Sequence, residues 1–175
     1  MKKWIVPDAP VHIPEMSQEF GEFLGELLVR RGIHNMDRAR SFFACSELSD
    51  PYLLRDMDKA VELIREALDE GKKITVYGDY DCDGITATAV LYSYLECIGG
   101  NVEYYINQRS EGYGLCSDAV RRLSESGVEL IVTVDNGISA VEEIAYAKTL
   151  GIDFIICDHH VAGAELPSAV SILNP

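Results

Sequence analysis

From residue 73 onward, short apolar runs alternate with helical stretches, and that alternation limits the fold more than any other feature of the chain. Strands are predicted at 73–78 (KITVYG), 102–106 (VEYYI), 130–134 (LIVTV), 153–157 (DFIIC) and 169–173 (AVSIL). Helices are predicted between them at 84–98, 116–126 and 139–150, each following a Gly, Ser or Asn. Runs this apolar are buried on both faces, so the expectation is an α/β fold: a parallel five-stranded sheet with helices on both faces.

The preceding residues read differently. PEMSQEFGEFLGELLVRRG (14–32) has helical spacing with a closing glycine, and NMDRARSFFA (35–44) reads as a second, shorter helix. SELSDPYLL is a connection, because Pro51 bars a continuous helix. MDKAVELIREALDEG (57–71) is amphipathic, with Ala60, Leu63, Ile64, Ala67 and Leu68 on one face. The expected organisation is a small helical N-terminal segment over 1–50 and an α/β domain over 51–175. No apolar run approaches a membrane span, and MKKWIVPDAP lacks a signal-peptide core. The five cysteines are odd in number and include no C-x-x-C pair, which fits reduced thiols and a cytoplasmic protein.

Three predicted strands run out into acid. GDYDCDG (78–84) follows the first, VDNG (134–137) the third and CDHH (157–160) the fourth, whereas the second ends in NQR. Ligands of such folds gather beyond the carboxyl ends of the strands. Strands one, three and four should therefore be neighbours, giving the order 2-1-3-4-5.

Like charges as crowded as Asp79, Asp81 and Asp83 repel, so cations are expected among them. DYDCDG resembles the start of a calcium loop. That loop needs a glutamate at its twelfth position, here Val90, and a helix before it. DCDGIT resembles the start of the haloacid-dehalogenase phosphatases, but the only lysine beyond 73 is Lys148, inside a predicted helix. VDNG alone reads as a turn and helix cap. DHH offers an imidazole for a metal and a carboxylate to orient it. Oxygen-rich ligation with an imidazole suits Mn²⁺ or Mg²⁺, and two such ions ~3.5–4 Å apart are the usual arrangement for phosphoester hydrolysis. Alternation would turn Tyr80 and Cys82 away from the ions, so Cys82 is expected to pack.

The net charge is −14, and residues 74–175 hold 4 Lys and Arg against 15 Asp and Glu. A domain that acidic is a poor partner for nucleic-acid phosphates unless cations sit in it or a basic surface lies elsewhere.

Together DYDCDG, VDNG and DHH resemble the first three motifs of the DHH phosphoesterase superfamily. Within it, DPYLLRDMDKAV, VYGDYDCDGITATAVLYSYL, RSEGYGL and ILNP are similar to the RecJ-type single-stranded-DNA-specific exonucleases. The resemblance implies a two-metal phosphodiesterase that degrades single-stranded DNA from the 5′ end in DNA repair and recombination. It implies Asp79 and Asp81 on one ion, Asp83 and His159 on the other, and Asp135 between them. Asp158 would stand behind the ligands and His160 would face the phosphate. Arg109, Tyr113 and Asn136 would contact the substrate. The family's fourth aspartate motif falls beyond Pro175, so the expectation is an N-terminal piece of a longer enzyme, weak or inactive alone. The competing expectations are a small-substrate phosphatase or oligonucleotide hydrolase of the same superfamily, and a non-catalytic acidic binding module.

Overall fold

The computed structural model describes residues 12–44, 48–109, 112 and 114–175. They fall into two compact units divided between Ser49 and Asp50.

In the first unit, helices α1 (Pro14–Phe20), α2 (Glu22–Arg30) and α3 (Met36–Ala44) close around Met16, Leu28, Val29, Ile33 and Ala39. The single helix predicted over 14–32 is two, because the chain turns at Gly21, whose φ is 84°. Arg40 on α3 donates from Nε and Nη2 to the two carboxylate oxygens of Glu19 on α1, at 2.9 and 2.7 Å. Such a two-point pair fixes orientation as well as distance.

In the second unit, a 3-10 turn at Pro51–Leu53 leads into α4 (Met57–Asp69). There follow β1 (Ile74–Gly78), α5 (Cys82–Cys97), β2 (Val102–Ile106), α6 (Ser117–Glu125), β3 (Leu130–Val134), α7 (Val141–Thr149), β4 (Asp153–Cys157) and β5 (Ser171–Leu173). All strand pairs are parallel and the order is β2-β1-β3-β4-β5, as the acidic strand ends predict.

Both faces of the sheet are covered, by different helices. Ile74, Val76, Leu130, Val132 and Ile155 pack with Ala60 and Ala67 of α4 and Leu95 of α5. Tyr77, Ile131, Phe154 and Ile156 pack with α6 and α7 through Val120, Leu123, Ile144 and Ala147. Each such side chain, fully buried, contributes about 1.5–3 kcal/mol. β1 and β3 are buried at every position, which explains their unbroken apolar sequence. Among the described residues no helix is long and apolar enough to cross a membrane.

Two boundaries differ from expectation. α5 begins at Cys82 rather than 84, because Asp81 caps it by accepting from the Gly84 N–H at 3.0 Å. β5 begins at Ser171 rather than 169, since Ala169 packs against the core beside α7 instead of pairing in the sheet.

Candidate metal centre

The strand register builds the site. The last paired positions are Ile106, Gly78, Val134, Cys157 and Leu173. The residues that follow them are Asn107, Asp79, Asp135, Asp158 and Asn174, a polar row across the carboxyl edge of the sheet. Asp135 N–H donates to Cys157 O at 2.9 Å and Asp158 N–H to Leu173 O at 3.0 Å, so the row is held by backbone bonds.

Two close approaches put α5 against this row. A Cβ on Gly84 would stand 2.5 Å from the Asp79 carbonyl oxygen and 2.7 Å from its nitrogen. A Cβ on Gly78 would meet the Thr88 hydroxyl, which itself donates to Gly84 O at 2.7 Å. Only glycine at both positions lets the helix start directly over the strand end.

Asp135, His159 and His160 place one potential ligand atom each within 4.8 Å of one another, the one such group among the described residues. His159 Nε2 lies 2.8 Å from Asp135 Oδ1. Asp135 has φ 61°, a left-handed backbone uncommon outside glycine and found at functional sites. The Asp81 and Asp135 carboxyl groups lie close enough for each to affect the other's titration. Burial pushes the Asp135 carboxyl upward, more than the His159 ring lowers it, and the Asp81 charge adds to the rise. The Gly84 N–H holds Asp81 below its ordinary value. Two neighbouring carboxyl groups, one driven toward its protonated form, are what a cation between them would relieve.

Asp79 makes the sharper case. It is 1% exposed, and neither carboxylate oxygen has a hydrogen-bond partner among the described residues. A buried carboxylate without partners is costly, and a bound divalent cation removes that cost. The donor set of carboxylates and imidazoles fits Mn²⁺ or Mg²⁺, with thiols kept apart. Asp83 stands outside the three-residue group, exposed in the first turn of α5.

Asp158 is wired rather than open. Its Oδ2 accepts from the Ile138 N–H at 2.9 Å. Its Oδ1 takes the His159 and His160 N–H groups and the His160 ring through Nδ1, at 2.8, 3.1 and 2.7 Å. Burial works to raise this carboxyl, but the Ile138 N–H and the other bonds outweigh it and hold it below the usual range. The bond to Asp158 raises the His160 imidazole in turn. It also fixes the ring by Nδ1, so Nε2 is the nitrogen that addresses a ligand.

The expected substrate residues divide. Arg109 lies exposed with its guanidinium 5.4 Å from the centre of the Tyr80 ring, beside the metal loop. Asn136 is 1% exposed, and its amide donates to Val134 O and Tyr77 O, tying the end of β3 to β1. Tyr113 lies outside the described residues. Tyr80 carries Arg109. One expectation about neighbours fails, because the extended alternation stops at Gly78. Cys82 does not pack; it is exposed at the start of α5. Asn107 was not anticipated. It is buried at the end of β2 and donates to Gly112 O at 2.5 Å and Gly114 O at 3.3 Å. The polar residue ending each strand was the signal for it, since NQR occupies the same place as the acidic clusters.

The chain is similar to known proteins. The chain is 42% identical over 155 residues to the single-stranded-DNA-specific exonuclease RecJ of Bacillus subtilis (strain 168), covering 87% of this chain and 20% of that protein. It is 46% identical over 124 residues to the RecJ of Salmonella typhimurium, covering 70% and 22%. A crystal structure of exonuclease RecJ bound to manganese matches with a TM-score of 0.66 and 37% identity, over 70% of this chain and 31% of that one. RecJ in complex with Mn²⁺ from Thermus thermophilus matches at 0.64 and 30%, over 85% and 20%. The chain thus spans about a fifth of the length of these curated relatives. Residues 73–175, more than half of the chain, match the DHH family, N-terminal domain, and the chain belongs to that family.

Proposed function

We propose that the chain is the metal-binding core of a two-metal phosphodiesterase that degrades single-stranded DNA from its 5′ end. The observation that carries this reading is Asp79, a buried carboxylate with both oxygens unpartnered beside the Asp135, His159 and His160 group. Asp79 and Asp81 would hold one ion and Asp83 and His159 the other, with Asp135 as a further ligand. Bound Mn²⁺ or Mg²⁺ would supply an activated water and neutralise charge on the phosphodiester.

The protein's own groups do the rest. Asp158, tied down by three backbone N–H donors, orients His160 so that Nε2 faces the phosphate and offsets charge as it develops there. Arg109, seated on Tyr80, contacts the backbone of the strand. A cytoplasmic setting accords with the free thiols of Cys82, Cys97, Cys116 and Cys157.

Titrating the chain and its Asp135→Ala variant with Mn²⁺ by calorimetry tests the centre, and heat of binding that survives the substitution would sink it. These 175 residues alone bind Mn²⁺ weakly and digest little single-stranded DNA, since few basic groups are available to grip phosphate. Robust digestion by the chain would show the proposed need for further residues to be wrong.

A further inference from the structure

A cavity of about 270 Å³ opens against His160. Gly114 and Leu115 form one wall, and Ser139, Ala140 and Glu143, at the start of α7, form the other. It lies over the ends of β3 and β4, whereas Arg109 and Tyr80 stand over the end of β1, across Asp135 in the strand order.

Its chemistry is opposite to that of the Arg109 side. Among the described residues that line it there is no Lys or Arg, and Glu143 brings a carboxylate. An anion seated beside Glu143 would meet like charge, so the end of the cavity away from His160 is a poor seat for phosphate. Asp158 also borders it, but both of its oxygens are committed to Ile138, His159 and His160. Beyond His160, which stands at the end toward the metal centre, Glu143 and the Ser139 hydroxyl are the polar side chains offered to a ligand, against walls of glycine, alanine and leucine. The volume falls just below the ~300–1,000 Å³ of pockets for drug-sized ligands, which is room for one base and its sugar and not for a strand.

Resting on the phosphodiesterase reading above, we infer that this cavity takes the nucleoside of the nucleotide whose phosphate lies at the metal centre. Glu143 accepts a hydrogen bond from an amino group on the base edge. A carboxylate accepting from the cytosine amino group is a known mode of base readout, and thymine carries no amino group. The substrate therefore lies across Asp135 with phosphate toward Arg109 and base toward Glu143.

The test is amide NMR of the chain without metal, titrated separately with deoxycytidine, thymidine and inorganic phosphate. Deoxycytidine is expected to shift Leu115, Ala140 and Glu143 and to bind roughly threefold or more tightly than thymidine. Glu143→Ala should weaken deoxycytidine about tenfold, the loss of one hydrogen bond to a charged acceptor, with Mn²⁺ affinity unchanged. Ser139→Trp, at an exposed position, should close the slot and abolish the shifts even where Glu143→Ala disturbs α7. Shifts of these amides by phosphate and not by deoxycytidine would overturn the inference, as would equal affinity for the two nucleosides. Deoxycytidine binding in a chain that binds no Mn²⁺ would support the cavity and strike only the metal-centre reading.

Discussion

Replacing Asp79 with asparagine should raise the melting temperature of the metal-free chain and abolish its response to Mn²⁺. Asp79 is 1% exposed with neither oxygen partnered, so without metal the fold buries a carboxyl group that nothing satisfies. The asparagine amide would also lack partners, and the gain is the difference between burying a charged and a neutral group, about 1–3 kcal/mol. For a chain of this length each kcal/mol moves the midpoint by roughly 2–4 °C, so the metal-free variant should melt about 2–12 °C higher. In the parent chain, Mn²⁺ at a hundred times its dissociation constant should add about 2.7 kcal/mol of stability, a rise of roughly 5–11 °C. Differential scanning calorimetry with and without Mn²⁺ reads both effects. A variant that melts lower without metal, or keeps the full Mn²⁺ rise, would show that Asp79 has partners of its own and is no ligand.

Gly84→Ala should destabilise the second unit by about 1–3 kcal/mol, read by urea denaturation, because its Cβ would press on the Asp79 backbone from 2.5 Å. Tyr80→Leu should weaken single-stranded-DNA binding about two- to fivefold by loss of the Arg109 stack, with Tyr80→Phe close to the parent in a fluorescence titration. Burial pushes the Cys157 thiol from 9.0 up to about 11. Between those values the unfolded chain loses a proton that the folded chain keeps, so stability falls as pH rises, by at most about 2–3 kcal/mol. Urea midpoints of the parent should therefore drop more steeply over that window than those of Cys157→Ala, and equal slopes would refute the assignment. Iodoacetamide should modify the exposed Cys82 and Cys97 and spare Cys157 at neutral pH, as peptide mapping would reveal.

The sheet order was legible because charge cannot be spread at random along buried strand ends. Three acidic clusters on one edge required β1, β3 and β4 to be adjacent, and they are. What period-2 reasoning could not supply was the path after Gly78. There the Asp81 cap starts α5 at once, so Cys82 follows a helical turn rather than a pleat. The break at Gly21 escaped for a related reason, since helical spacing is nearly the same on either side of a turn. Nor could spacing show that Asn136 spends its amide on Tyr77 and Val134, because that depends on which strand lies next door. The cavity beside Glu143 joins three segments distant in sequence and has no local signature at all.

The polar row divides the second unit into two edges with unequal freedom to change length. Deleting one residue within β1, β3 or β4 would carry a different side chain into the row and reverse the faces of everything after it. On the opposite edge, the turns leading into β1, β2, β3 and β4 each hold a glycine at positive φ, namely Gly71, Gly99, Gly127 and Gly151. None of these turns supplies a side chain to the carboxyl edge. Insertions, tags or new chain termini introduced there would leave the spacing of Asp79, Asp135 and Asp158 untouched, making that edge the place to cut, label or fuse the domain.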